Sequence, residues 1–161
     1  MNASIDGLMY AASQLFLIPV LLAIGLLFAH AFYALGAFLW QARQRRAGVA
    51  AGFELAEARR RDPGLLLADL EALALARLEF ARIATRVAPL LGLVATMIPM
   101  GPALKALGDG SLGDVSRSLI VAFSAVILAL IAAALSYMVV SVRRRWYAAD
   151  LLAIEKEGLA R

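Results

Sequence analysis

The sequence predicts an all-α integral membrane protein: three transmembrane helices, with a helical cytoplasmic segment between spans 1 and 2. Three observations predict it. Hydrophobic residues fill 63% of the 161 positions, more than a water-soluble domain of this length can enclose in its own core. Residues 15–39, 87–104 and 118–142 contain no Asp, Glu, Lys or Arg, and each stretch is long enough to cross about 30 Å of hydrocarbon as a helix. Arginines gather at the ends of these stretches, as Arg43, Arg45 and Arg46 after the first and Arg143, Arg144 and Arg145 after the third.

The first segment, residues 1–40, is expected to hold a short periplasmic N-terminus and the first span. Its opening residues lack the basic n-region of a secretory signal and its apolar run exceeds a signal's h-region, so the span is expected to be retained. Residues 41–86 follow as a cytoplasmic helical segment. Ala, Leu, Glu and Arg dominate it, and Asp62-Pro63-Gly64 breaks it into two helical stretches. From near Leu65 no stop signal appears before Pro89, so a helix is expected to run on into the membrane, bent at Pro89 and Pro99.

Residues 87–142 form a transmembrane hairpin, turning at Gly108-Asp109-Gly110-Ser111-Leu112-Gly113-Asp114, with Asp114 as the expected N-cap of the last helix. Residues 143–161 are the cytoplasmic tail. Orientation rests on the arginines: the loop after span 1 and the exit from span 3 are strongly basic, whereas the N-terminus and the hairpin turn are not. The positive-inside rule then places the N-terminus outside and the C-terminus in the cytoplasm.

Function classes narrow on composition. The chain has no cysteine and a single histidine, His30, so neither thiol chemistry nor a metal site is expected, and no motif for a cofactor is present. His30 is expected as a neutral, hydrogen-bonded side chain within the first span. The net charge of +4 is topogenic, with membrane lipid as a secondary partner and nucleic acid excluded. Trp40, Tyr137, Trp146 and Tyr147 are expected as interfacial anchors. No nucleophile with a base is visible, and the chain is not expected to be an enzyme.

One stripe carries the functional expectation. Pro89, Gly92, Thr96, Pro99 and Ala103 recur at three- and four-residue spacing on one face of the second span. Small residues in such a stripe provide a helix-packing or pore-lining surface. Ser118, Ala122, Ala125, Ala129, Ala132 and Ser136 make a second stripe on the third span, expected to pack against the first.

The segment Ala88-Pro89-Leu90-Leu91-Gly92-Leu93-Val94-Ala95-Thr96-Met97-Ile98 resembles the A-P-L-L-G-L-L-G-T-V motif of the MotA/TolQ/ExbB proton channel family, and Ser118-Leu119-Ile120 resembles the A-L-I that opens that family's last span. The resemblance implies an ion channel subunit, with the proton as the expected ion, of an inner-membrane motor or energy-transducing complex that couples proton motive force to mechanical work. It implies a homo-oligomeric ring, usually a pentamer, around a single-span ExbD-, TolR- or MotB-like partner whose intramembrane Asp carries the ion. The three uncharged stretches fit this division of labour, since they offer no carboxylate of their own.

By the same resemblance, Thr96 matches the family's pore-facing threonine and Pro89 its proline at the cytoplasmic entrance of the span. Two readings of the Thr96 hydroxyl stand at this point: a hydrogen bond to the partner's Asp or a water, or a bond back to the carbonyl of Gly92 in its own helix. Gly92, Thr96, Pro99, Ala103, Ala122 and Ser124 are the expected ion-path or pore-lining residues. The sequence departs from the family pattern at Pro99 for glycine, Arg117 for an acid, Ala122 for threonine and Ile131 for proline. Ser124 is the nearest hydroxyl to the lost threonine. These departures sustain the alternative, a non-conducting membrane scaffold that packs partner helices.

Overall fold

The structure, a computed structural model, describes residues 2–159, with side chains from Gly7 to Glu157. Met1 and residues 160–161, the ends of the first and last expected segments, lie outside the described residues. The element order is α1 (Asn2–Leu15), α2 (Leu17–Arg46), a 3-10 turn at Ala50–Gly52, α3 (Glu54–Arg61), α4 (Leu67–Gly108) and α5 (Leu112–Leu159). Among the described residues there is no strand. Three helical segments, Gly7–Arg46, Leu67–Gly108 and Leu112–Glu157, are long and apolar enough to cross a membrane.

Local chemistry explains each boundary. The N-terminal residues, read from sequence as a short tail, are themselves helical, and α1 stops at Leu15 because Pro19 has no N–H for the Leu15 carbonyl and its ring crowds that oxygen. The ladder resumes one residue later, with the Val20 N–H on the Phe16 carbonyl at 3.0 Å. Helix α2 ends at Arg46, and the chain turns away at Gly48, whose φ of 68° favours glycine. There the Val49 N–H reaches back to the Gln44 carbonyl and the Gly48 N–H to that of Arg45, a Schellman pair of bonds.

The break at Asp62-Pro63-Gly64 is present as expected. Asp62 Oδ1 accepts the Gly64 N–H at 3.0 Å, and Arg59 Nη1 donates to the Leu65 carbonyl at 3.0 Å. Helix α4 starts at Leu67 rather than at Leu65, because the Leu66 N–H is held by the Asp69 carboxylate at 2.8 Å. It then continues through Pro89, Pro99 and Pro102 without ending. Its C-terminus repeats the Schellman pattern, with Gly110 at φ 75° and the Ser111 N–H on the Ala106 carbonyl at 2.8 Å.

Asp114 is not the N-cap of α5. That helix begins at Leu112, so the cap position falls to Ser111, whose hydroxyl donates to the Asp114 carboxylate at 2.7 Å. Asp114 instead stands in the first turn, where its charge complements the helix dipole.

The chain divides into two compact units, one of the described residues up to His30 with Thr85–Ala134, the other of Ala31–Ala84 with the described residues from Leu135 onward. The first unit is almost wholly apolar. Val20 and Ile24 of α2, Ala95 of α4 and Ala125 and Ala129 of α5 bury one another, with Leu21 and Leu91 packed alongside. Alanines and a glycine at the contact let the helix backbones approach closely, which is how helices associate in a solvent as apolar as their own side chains.

Helix α1 is tied to α4 in that unit by a consequence of Pro102. Proline at 102 leaves the Ile98 carbonyl without its helical donor. Gln14 supplies one, its Nε2 donating to that carbonyl at 3.3 Å. Gly101 lies beside the Tyr10 ring, where an added Cβ would stand 3.4 Å from Tyr10 Cε2.

The second unit combines an apolar core with buried polar groups, among them Gln41 and Asp150. Leu55 of α3, Ala74 and Leu78 of α4 and Tyr147 of α5 form a buried cluster. Tyr147 is 2% exposed, so it is a core residue and not the interfacial anchor expected from sequence. Trp146, expected as a second anchor, stacks on Phe38 with centroids 5.1 Å apart.

The Gln14 bond gives a two-background prediction. Gln14→Leu should lower the stability of the detergent-solubilised protein by about 1 kcal/mol, the size of an interhelical hydrogen bond in membranes. In a Pro102→Ala background the Ile98 carbonyl regains its helical N–H, and the same substitution should cost almost nothing. Equal costs in both backgrounds, read by denaturant unfolding, would refute the assignment.

Candidate functional site

The second span brings together most of the stripe found in sequence. Gly92, Pro99 and Ala103 of α4 are buried, as are Ala122, Ala125, Ala129 and Ala132 of α5. Gly92 is the point of closest approach: a Cβ built there would stand 3.0 Å from Ala129 Cβ and 3.6 Å from Val126 Cα. The two small-residue stripes therefore meet at Gly92, as the sequence suggested. These residues are occupied in packing within one copy of the chain.

Thr96 and Pro89 stand at the edge of this buried face, each half-buried. The Thr96 hydroxyl donates to the Leu93 carbonyl at 2.7 Å. It bonds back to its own helix, but to Leu93 three residues earlier rather than to Gly92, since a helical threonine can reach either carbonyl according to its rotamer. Having given its proton to Leu93, the oxygen keeps its lone pairs. It can accept a further hydrogen bond, or turn and donate to a carboxylate.

Ser124 is exposed on α5, apart from the buried stripe. Arg117 is exposed near the start of the same helix. His30 is half-buried in α2 and is not without a partner. Trp40 and Tyr137 are exposed. Among the described residues no grouping of His, Cys, Asp or Glu is placed to hold a metal ion.

The second unit contains a titratable cluster that sequence reasoning did not find. The carboxylate of Asp150 pairs with the Arg45 guanidinium, both side chains being about a tenth exposed. Arg45 Nε also donates to the Gly52 carbonyl at 2.9 Å, and its guanidinium lies 4.6 Å from the Phe53 ring centroid and 4.9 Å from that of Trp146. Nearby in the same unit, Glu54 takes a hydrogen bond from the Tyr147 hydroxyl at 2.7 Å and pairs with Arg77. Together these contacts fasten the 3-10 turn and α3 to α2, α4 and α5.

These groups lie past the uncharged stretch of α5. Burial, then the hydrogen bond and charge of Glu54, pushes the Tyr147 hydroxyl up to about 12, so it stays a donor throughout the physiological range. Burial also raises Asp150, against the opposing pull of Arg45.

A sequence signal for this cluster existed. Val139 continues the helical spacing of Ala129, Ala132 and Ser136, Tyr147 and Asp150 carry it past the arginines, and all three are buried like them. The partner of Asp150 carried no such signal, because Arg45 is far away in sequence.

A family model described as the MotA/TolQ/ExbB proton channel family matches residues 57–156, more than half of the chain. The match takes in the Gly92–Thr96 stripe, the hairpin and the Tyr147–Asp150 face. No curated protein and no solved structure matches the chain.

The ion pair yields a prediction for stability. Asp150→Leu leaves the Arg45 charge buried without its counter-charge and should cost about 3 kcal/mol, and the paired replacement Arg45→Met with Asp150→Leu should cost less than the sum of Asp150→Leu and Arg45→Met made singly. Thermal unfolding of the wild type, the two single variants and the double in one detergent decides it. A double variant at least as unstable as the sum of its singles would show that the pair is not coupled as described.

Proposed function

The chain belongs to the MotA/TolQ/ExbB proton channel family, and from that premise we propose that it forms the ring of an inner-membrane motor or energy-transducing complex in a bacterial or archaeal cell, coupling proton motive force to mechanical work. That it is a proton channel subunit of a multi-pass membrane protein class follows from the family and from its three apolar helices. The ring, its partner, its orientation and its ion-path residues are our reading.

One observation carries it. Thr96 is a half-buried hydroxyl with free acceptor capacity, at the edge of the packed face of a span that has no carboxylate. A proton crossing hydrocarbon needs a titratable carrier, and the three uncharged stretches provide none apart from His30. The carrier in this reading is the Asp of a single-span ExbD-, TolR- or MotB-like partner, which rises through the centre of a homo-oligomer, a pentamer by analogy with the family. Thr96 offers that carboxylate or its water a hydrogen bond.

The buried members of the stripe support the path from behind. Gly92, Pro99, Ala103 and Ala122 hold the hairpin so that Thr96 keeps its place, and Ser124, exposed on α5, adds a second hydroxyl to the lining. Pro89 sets the entrance of the span. The N-terminus is outside and the C-terminus cytoplasmic, in accord with the arginines that follow the first and third uncharged stretches. Residues 1–40, 41–86, 87–142 and 143–161 are the corresponding segments.

The alternative is a scaffold that packs partner helices without conducting. Arg117 and Ala122, where the family pattern has an acid and a threonine, favour it. The two readings separate at Thr96. Thr96→Ala should leave the assembly intact and cut proton-dependent activity about tenfold or more, the loss expected when one hydrogen bond of about 1.5 kcal/mol to a charged group is removed. Thr96→Leu should abolish it by filling the path. Full activity in both variants would remove Thr96 from the site, and an assembly that never conducts would establish the scaffold.

A further inference from the structure

At the end of its apolar run, α2 meets α5 across an open cavity of about 860 Å³, lined entirely by residues of the second unit. This lies within the roughly 300–1,000 Å³ usual for ligand sites. Its wall has two halves of opposite character. Phe38, Leu39 and Val142 are apolar, with the Trp146 ring stacked on Phe38. Arg43, Arg45 and Arg46 are basic.

The three arginines are not equivalent. Arg45 is committed to Asp150, to the Gly52 carbonyl and to the faces of Phe53 and Trp146. Its charge is answered. The Arg43 and Arg46 side chains make no ion pair or hydrogen bond among the described residues, and both residues are exposed. One helical turn apart, they present two free guanidinium forks on neighbouring positions of α2.

The placement of these halves selects a ligand. The apolar half continues the uncharged stretch of α2, and the free cations begin directly after it, where Trp40 is 66% exposed. A small anion would satisfy the forks and leave the apolar wall uncovered. A neutral lipid would cover the wall and leave both charges unanswered, and a zwitterionic one would bring a phosphate together with a cation that the two arginines repel. Basic pockets between transmembrane helices are where acidic head groups bind.

We infer that this cavity is a binding site for an anionic phospholipid, its phosphodiester held between Arg43 and Arg46 and the upper part of an acyl chain laid along Phe38, Leu39 and Val142. Arg45 is a positioning residue here. By holding Trp146 against Phe38 it shapes the wall, while Asp150 keeps its charge from competing for the phosphate. The inference needs only that the helices cross a membrane. It stands or falls apart from the ion path.

Native mass spectrometry of the full chain tests it, after delipidation and titration with phosphatidylglycerol, phosphatidylcholine or inorganic phosphate. The wild type should retain phosphatidylglycerol over phosphatidylcholine by about tenfold or more, since two arginines each add about a kcal/mol toward acidic lipid. R43Q/R46Q should lose that preference, whereas R144Q/R145Q, which removes the same charge from two exposed residues outside the cavity, should keep it. Val142→Trp, filling the apolar wall with both cations intact, should lower phosphatidylglycerol retention as well, and this second variant decides the matter if R43Q/R46Q fails to fold. Equal loss in the two arginine pairs would reduce the effect to bulk charge and overturn the site. So would displacement of the lipid by millimolar phosphate, which marks a simple anion site, or a change in oligomer size with lipid preference unaltered, which marks a surface covered by a second copy.

Discussion

Hydrocarbon answers neither an unpaired backbone carbonyl nor an isolated charge, and most of this protein's architecture follows from that one constraint. The uncharged stretches satisfy their backbones by being helices. Where proline removes a donor, the freed oxygen needs another partner, and at Ile98 it is the Gln14 amide. Charged groups begin where the apolar stretches end, and the cluster of Arg45, Asp150, Glu54, Arg77 and Tyr147 is built only there. The same constraint underlies the proposal that a partner carries the proton, since the uncharged stretches hold no carboxylate.

With no hydrophobic drive between helices in lipid, close contact has to come from shape. Gly92 against Ala129 gives that contact, and the surrounding alanines extend it along both helices. A consequence is that small residues on such a stripe are largely used up within one copy of the chain. What remains for other molecules is the edge of the face, where Thr96 stands, and the exposed sides of the helices. Function on this scaffold is therefore expected from residues that flank the packing stripe, more than from those at its centre.

The sequence made the long-range plan legible and the local joints less so. Uncharged runs revealed the spans because charge is so costly in lipid, and Asp62-Pro63-Gly64 revealed the break because its turn chemistry is local. The Gly92 and Ala129 stripes showed their contact through helical spacing. Proline was harder to read. Pro19 ends α1, whereas Pro89, Pro99 and Pro102 all pass inside a continuous helix. The carbonyl that Pro102 frees is taken by Gln14 of α1, and that capture is tertiary information. Tyr147 looked like an interfacial aromatic because its sequence neighbours are arginines. Its burial came from lying on the same face as Ser136 and Val139, and the Arg45–Asp150 pair joined two residues that no local pattern connects.

The central claim is that this chain shapes a proton path but does not itself carry the proton. The most direct measurement is proton flux into liposomes under an imposed gradient, read with a pH-sensitive dye, for the chain alone and for the chain reconstituted with the proposed single-span partner. The account predicts no flux above empty liposomes for the chain alone, and flux with the partner that disappears when the partner's intramembrane Asp is changed to Asn. Flux through the chain alone, or flux that survives loss of that Asp, would contradict it.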